Sequence, residues 1–487
     1  MADAAVRRKP GLLTKLAYGF GSVGDGIKNN GFEYFLLFFY GQVLGVDFAL
    51  VGLALLLAMI VDGISDPVVG YWSDNLRTSI GRRHPFMYAA ALPVALCYYF
   101  VWSPPAGLTG NELFPYLLMM TILVRVSFTF YEVPSSALVA ELTDEYDERT
   151  SFLSFRYVFG WLGGLTIAFL ALAVFLVPTE TYGSGFLNVE GYQQYGTLAA
   201  GLIFLAVLVC ALGTHAHIPH LKAPPPQRKM SVGLVFKEIG ETLSNRSFQW
   251  LFIATLFGFI ANGIAASLNY FINGYFWGFT TEQTSLLTLA VFASAFIALI
   301  LAPLVSKRFG KKRGALSVGI VAFTLAPLPV VLRLLGLMPP NGSEQLFNII
   351  LAITILDIAL IICFQILSTS MIADVVEESE LQTGRRSEGV FFAGISFMRK
   401  VARGSGLFLA SLILSGANLT RSLQPEDVPE STLFYLGLGY ACGLLLLWGL
   451  MICFLSLYKI NRADHEANLA ALKQARKAGS APGEGVS

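Results

Sequence analysis

Asp62 and Asp66 lie four residues apart in Val61-Asp62-Gly63-Ile64-Ser65-Asp66-Pro67, immediately after the apolar run 51–60. On a helix that spacing puts both carboxylates on one face, with their Cβ atoms about 5–6 Å apart. The preceding run places them inside a bilayer, where an isolated acid is expensive and two adjacent acids repel each other. Such a pair persists when something positive compensates it, and a mobile cation is the partner to which the spacing points. Two carboxylates together with the hydroxyl of Thr129 would make the kind of oxygen shell that a hard cation such as sodium prefers. The same oxygens could hold a proton instead, and the residues alone do not choose between the two. The plain alternative is a permanent network of acids and a base that holds helices together.

Other ionisable residues sit at membrane depth. Asp25 and Lys28 are three apart, so they either neutralise each other along a wet cavity or contact a solute directly. Arg125, Thr129, Tyr131 and Glu132 precede Pro134, and Thr129 and Glu132 share a face. Ser396, Arg399, Lys400 and Arg403 crowd one later segment, and Lys400 is the natural internal positive charge to face Asp62 and Asp66. Asp374, at the end of a run that also holds Asp357, Gln365 and Ser368, is a possible partner for Arg399.

These residues need a scaffold that spans a membrane many times. The chain has 487 residues, of which 55% are hydrophobic and 13% charged, where a soluble globule carries nearer a quarter charged. Apolar runs of twenty or more residues recur, which reads as an all-α membrane protein. Twelve spans are expected, near 16–40, 48–73, 86–104, 114–139, 152–177, 196–219, 247–275, 284–306, 314–336, 346–374, 388–415 and 433–458. Lys and Arg gather on one set of ends (Arg7–Lys9, Arg77/Arg82/Arg83, Arg149, Lys222–Lys237, Lys307–Arg313, Arg385/Arg386, Lys459–Lys477). The opposite loops, such as Pro178–Tyr195 and Ser103–Asn111, are almost free of them, with Arg333 and Arg421 as exceptions. Both termini and the central loop are therefore expected on the cytoplasmic side of the inner (cytoplasmic) membrane of the cell.

The basic, proline-rich stretch 221–246 divides the chain into residues 1–220, a six-helix half, and residues 247–459, a second six-helix half, followed by a cytoplasmic tail at 460–487. Gly81-Arg82-Arg83 after span two is echoed by Gly310-Lys311-Lys312-Arg313 after span eight, as in carriers built from repeats with a central site. All five cysteines fall in apolar runs without metal spacing. No phosphate-binding loop, Ser/His/Asp set or metal-type histidine pattern points to an enzyme. No cofactor is expected beyond the Na+ or H+ that passes through. The expected partners are a small-molecule solute, the cation and the lipid bilayer, with no nucleic acid, the chain working as a monomer.

The charged loop 70–83 reads as a latch in which Asp74 pairs with Arg77, Arg82 or Arg83, superimposed on ordinary positive-inside anchoring. Arg156, a turn or two into span five, is either an end-of-span residue reaching for water or a gate residue pairing with Glu141 or another acid.

Several of these motifs occur together in a known family. Lys15-Leu-Ala-Tyr-Gly-Phe-Gly-Ser, Asp62-Gly-Ile-Ser-Asp66-Pro67, the Gly70…Gly81-Arg82-Arg83 loop, Tyr131-Glu132-Val133-Pro134, Met371-Ile-Ala-Asp374 and Lys400 run in order along nearly the whole chain. Together they resemble the glycoside–pentoside–hexuronide:cation symporters, the melibiose-permease-like branch of the major facilitator superfamily. The resemblance implies the major facilitator fold and cation-coupled uptake of a glycoside, sugar or uronide, with a lysolipid or other amphipathic solute as the alternative. It implies that Asp62, Asp66 and Thr129 are cation ligands, sodium ligands if sodium is the ion. It further implies that Lys400 couples cation to substrate, that Glu132 binds substrate, and that Arg156 serves the cytoplasmic gate, to which the charged residues Asp74, Arg77, Arg82, Arg83, Glu141 and Asp374 are also assigned. Ser136, Gln365 and Ser396 join Asp25, Lys28 and Glu132 as candidates for substrate contact. Two departures stand out. The family's span-one acid falls on Gly26, beside Asp25, and Ser136 and Gln365 occupy places where relatives stack an aromatic on sugar. Galactoside recognition is therefore not implied.

Overall fold

The computed structural model describes residues 10–143, 145–221, 246–383, 388–419 and 424–457, with the backbone alone described for 146, 147, 220, 246–248, 372–383 and 388–395. Within these residues all regular structure is helical. The expected central loop, the C-terminal tail and the side chain of Asp374 lie outside the described residues.

Thirteen α-helices follow in chain order: α1 Leu12–Asn30, α2 Phe48–Asn75, α3 His84–Trp102, α4 Leu113–Leu142, α5 Tyr146–Leu170, α6 Val189–His215, α7 Arg246–Phe271, α8 Thr281–Phe309, α9 Lys311–Leu325, α10 Leu328–Leu334, α11 Glu344–Thr383, α12 Glu388–Gly416 and α13 Glu430–Ser456. Short α10 continues α9 beyond Pro327, and the two make one crossing. Among the described residues, ten crossings are long and apolar enough to span a membrane, against the twelve expected. Helices α1 and α12, which carry several ionisable groups, fall outside that set. A helix satisfies its own backbone hydrogen bonds, which is why such apolar runs fold this way where no water can do it. Large apolar side chains such as Leu96, Phe296, Leu299, Ile300 and Leu446 face outward, as a lipid-facing surface requires.

The described chain forms two compact units. One comprises Met1–Gln227 with Ala266–Thr288 and Leu407–Leu433; the other comprises Arg228–Ala265, Leu289–Gly406 and Phe434–Ser487. The second unit packs Phe323 against Trp448 and Phe364, with ring centroids 4.8 and 5.0 Å apart. Its helices α7 and α12 cross closely enough that a Cβ on Gly263 would come within 2.9 Å of Gly406 Cα.

Three features of the first unit position its polar residues. Small residues let α1 and α5 touch at their backbones. A Cβ on Gly26 would collide with the carbonyl oxygen of Gly160, and one on Gly163 would stand 2.8 Å from Val23 Cα. Proline interrupts α2 at Pro67 and α4 at Pro134, each removing one internal hydrogen bond near the acids. Finally, π-helical turns carry α1 onward through Gly31–Phe35 and Phe38–Val43, and others end α5 at Ala171–Phe175 and α7 at Ile272–Phe276.

At the end bearing the loops poor in Lys and Arg, these turns pack an aromatic seal. Phe35 lies 4.7 Å from Tyr270 and Phe38 4.7 Å from Phe271, centroid to centroid. Ser267 donates to the carbonyl of Glu33 at 3.3 Å, and Gly52 leaves room for Ser411. Segments distant in sequence thus close this end of the unit.

Replacing Gly26 with Ala is expected to lower stability by about 1–3 kcal/mol, because the backbone it meets on α5 cannot move aside as a side chain would. The apparent melting temperature of the purified protein in detergent checks this. An unchanged value would show that α1 and α5 do not approach so closely.

Candidate functional site

Residues on one face of α4 organise the polar interior of the first unit. Arg125, Thr129 and Glu132 follow at helical spacings of four and three, so all three look the same way. Opposite them, α2 presents Asp62 and Asp66. The Thr129 hydroxyl lies 3.0 Å from Asp62 Oδ1, 3.3 Å from Asp66 Oδ1 and 3.1 Å from its own turn's Arg125 carbonyl. With one proton it can donate to only one of these acceptors at a time. Ser65 Oγ joins at 3.2 Å from Thr129 and also donates to the Asp62 carbonyl at 2.9 Å. Two carboxylates and two hydroxyls therefore converge on one small volume, a donor set suited to a hard monovalent cation or to a proton.

Arg125 supplies positive charge to this group. Its Nη1 donates to Asp62 Oδ2 at 3.2 Å, and both side chains are only 2% exposed. The guanidinium lies 5.2 Å from the Phe32 ring centroid, close enough for cation–π attraction. Its Nε and Nη2 have no hydrogen-bond partner among the described residues. The structure gives Asp62 a partner from the neighbouring helix that the spacing alone did not assign to it. The signal was available: Arg125 precedes Thr129 by four residues, so whatever α2 group meets Thr129 also meets Arg125. Ser65, three residues after Asp62, could have been found by the same spacing.

One turn along α4 from Thr129, Lys28 bridges two acids. Its Nζ lies 3.1 Å from Asp25 Oδ1 and 3.4 Å from Glu132 Oε2, and it sits 3.9 Å over the Phe128 ring. The lysine side chain is 4% exposed, whereas those of Asp25 and Glu132 are 33% and 30% exposed. A buried ammonium thus holds two carboxylates that keep open oxygens able to accept hydrogen bonds. Asn29 donates to Asp25 at 3.0 Å and holds it in place. Gly26 faces the α5 backbone, so no acid fits there, and Asp25 takes a different direction around α1. Ser136 is exposed and bonds back to the Val133 carbonyl at 2.8 Å. In the second unit Gln365 is exposed, and Ser396 and Lys400 are half-buried.

The charged loop closes on itself at the basic end of the first unit. Arg83 Nε donates to Glu141 Oε1 at 2.9 Å, its Nη1 to Ser73 Oγ at 2.7 Å and its Nη2 to Asp74. Arg82 Nη2 reaches the same Glu141 oxygen at 2.8 Å. Asp74 and Glu141 stand at helix C-termini and Arg83 at the N-cap of α3, each the wrong sign for its own helix dipole. Drawn together, they cancel. Arg77 is exposed and joins none of these pairs. Arg156 lies elsewhere: its Nη1 donates to Ser135 Oγ at 3.2 Å, and its guanidinium is 5.8 Å from the Tyr18 ring. Tyr18 in turn donates to the Ser135 carbonyl at 3.0 Å.

Substituting Glu141 with Gln would leave two largely buried guanidiniums without their shared anion. A loss of about 3–5 kcal/mol is expected, as for other broken buried pairs. Thermal unfolding in detergent measures it, and a loss below about 1 kcal/mol would show the cluster to be surface decoration.

Comparison with known proteins places this arrangement in context. Residues 17–462 match the family described as MFS/sugar transport protein. An uncharacterized symporter from Synechocystis is 27% identical, covering 96% of this chain and 97% of that protein. The putative glycoside/cation symporter YagG of Escherichia coli is 25% identical, covering 97% and 96%. Among solved structures, the partially occluded, inward-open xylose transporter XylE from E. coli superposes with a TM-score of 0.58 at 12% identity, covering 93% of this chain and 98% of that one.

Proposed function

Because the chain belongs to the MFS/sugar transport protein family, a family of membrane transporters and not of enzymes, we propose that it carries a glycoside, sugar or uronide together with a cation, Na+ or H+. Transport runs by alternating access, and the residues that bind the two solutes lie a single helical turn apart. That juxtaposition carries the reading: Thr129 belongs to the cation group and Glu132 to the Lys28–Asp25 group on one face of α4. Filling either group changes the field at the other, which is what coupling requires.

Several observations support the assignment of roles. Asp25 and Glu132 expose carboxylate oxygens beside a fixed ammonium, a pattern that accepts hydrogen bonds from the hydroxyls of a polyol ring. Asp62, Asp66 and Thr129 provide the oxygen group for the cation. Lys400, at membrane depth in the second half of the chain, is the charge that would respond to occupancy of that group. Asp74, Arg82, Arg83 and Glu141 fasten helix ends on the basic side. The names of relatives, a glycoside/cation symporter among them, favour a sugar-like solute over a lysolipid. The distribution of Lys and Arg favours both termini in the cytoplasm and a place in the inner membrane. The chain works as a monomer.

Uptake of radiolabelled glycosides, pentoses and glucuronides into proteoliposomes, driven by an imposed sodium or proton gradient, tests the proposal. Accumulation above the outside concentration is expected for at least one solute and one gradient. Asp66→Asn should abolish accumulation but keep exchange at equilibrium, and Glu132→Gln should weaken solute binding about tenfold, near 1.4 kcal/mol for a lost charged hydrogen bond. Full accumulation by Asp66→Asn would remove the acid pair from the mechanism.

A further inference from the structure

We propose that Arg125 sets the ion selectivity of this carrier, by acting as a resident cation that leaves the acid group able to take a proton and not Na+. The inference rests on the symport reading above and names its coupling ion.

A sodium ion needs several oxygens turned toward it at once. Asp62 does not offer both of its oxygens. Oδ2 accepts from Arg125 Nη1 at 3.2 Å, and Oδ1 lies against the Thr129 hydroxyl at 3.0 Å. A metal ion entering between the carboxylates would also stand beside a guanidinium of its own sign, in a place where both partners are 2% exposed and water screens little. A proton has no such requirement. It joins one carboxylate oxygen, neutralises it and needs no further ligands.

Among the described contacts, the acid pair is faced by Ser65 on α2, Arg125 and Thr129 on α4, and Lys28 on α1, whose charge acts on Asp62. Lys400, in the second half of the chain, is the further base that the sequence puts at this depth.

Arg125 is also poised to change partners. Two of its nitrogens, Nε and Nη2, are buried without a hydrogen bond. A guanidinium is always charged and has five donors in a fixed fork, so it cannot relieve this by losing a proton. It can do so by turning toward a second acceptor when Asp62 is neutralised. The residue is thus a positioning and selectivity element, and it acts on the transported ion through Asp62.

The test uses the purified full-length protein in detergent at pH 8, with its melting temperature followed from 0 to 200 mM NaCl against equal choline chloride. The wild type is expected to show no sodium-specific shift. Arg125→Met, which removes the resident charge and keeps the volume, is expected to gain a saturable sodium-specific rise, and Arg125→Met with Asp62→Asn to lose it again. If Arg125→Met does not fold, Arg125→Gln carries the same test: it removes the charge and keeps a polar head beside Asp62, and the same sodium-specific rise is expected of it. A saturable sodium shift in the wild type would overturn the inference and leave symport intact, with sodium as the ion. A folded Arg125 variant that stays silent to sodium would overturn it as well. Failure of the symport reading shows separately, as absence of gradient-driven accumulation under either ion.

Discussion

The first unit depends on one constraint: a carboxylate held at membrane depth must find its compensation inside the protein. Asp62 satisfies it through the Thr129 hydroxyl, itself in contact with Ser65, and through the Arg125 guanidinium. Each partner comes from a short helical spacing on α2 or α4, so these two helices are tied in register by their polar faces. Pro67 and Pro134 lie within a turn of that junction, where a missing backbone bond makes bending easier. The polar ties therefore hold the place where the helices are weakest.

A second ionic group repeats the logic with different exposure. Lys28 is buried while its two acids are partly exposed, so one desolvated ammonium is compensated by two carboxylates nearer to water. The cluster of Arg82, Arg83, Asp74 and Glu141 reverses the usual rule of helix ends, in that each charge is unfavourable alone and acceptable in company. Ion pairs thus do three separate jobs in one unit: at the cation group, beside it, and at the basic end.

Much of the fold was legible in the sequence, because membrane helices announce themselves by length and apolar content, and the basic loops set their direction. The acids were legible too, since Asp62 and Asp66 at a spacing of four, and Thr129 and Glu132 at a spacing of three, fix shared faces without any knowledge of packing. What could not be read was which face of α4 meets which face of α2. The sequence contains Arg125 but not the rotation that turns it onto Asp62. Likewise, the sequence left Arg156 open between an end-of-span role and a pairing with Glu141 or another acid; the structure gives it a hydrogen bond to Ser135, and Glu141 is held by two arginines. The π-helical turns left no trace in composition.

The contact of Gly26 with the α5 backbone has an evolutionary corollary. In the carriers that this chain resembles, an acid stands at the corresponding place. Here that position is structural, and no side chain can be installed there until α5 has first drawn back. Two coordinated changes, one on each helix, are needed to bring a side chain to this point of α1, which is a case of epistasis.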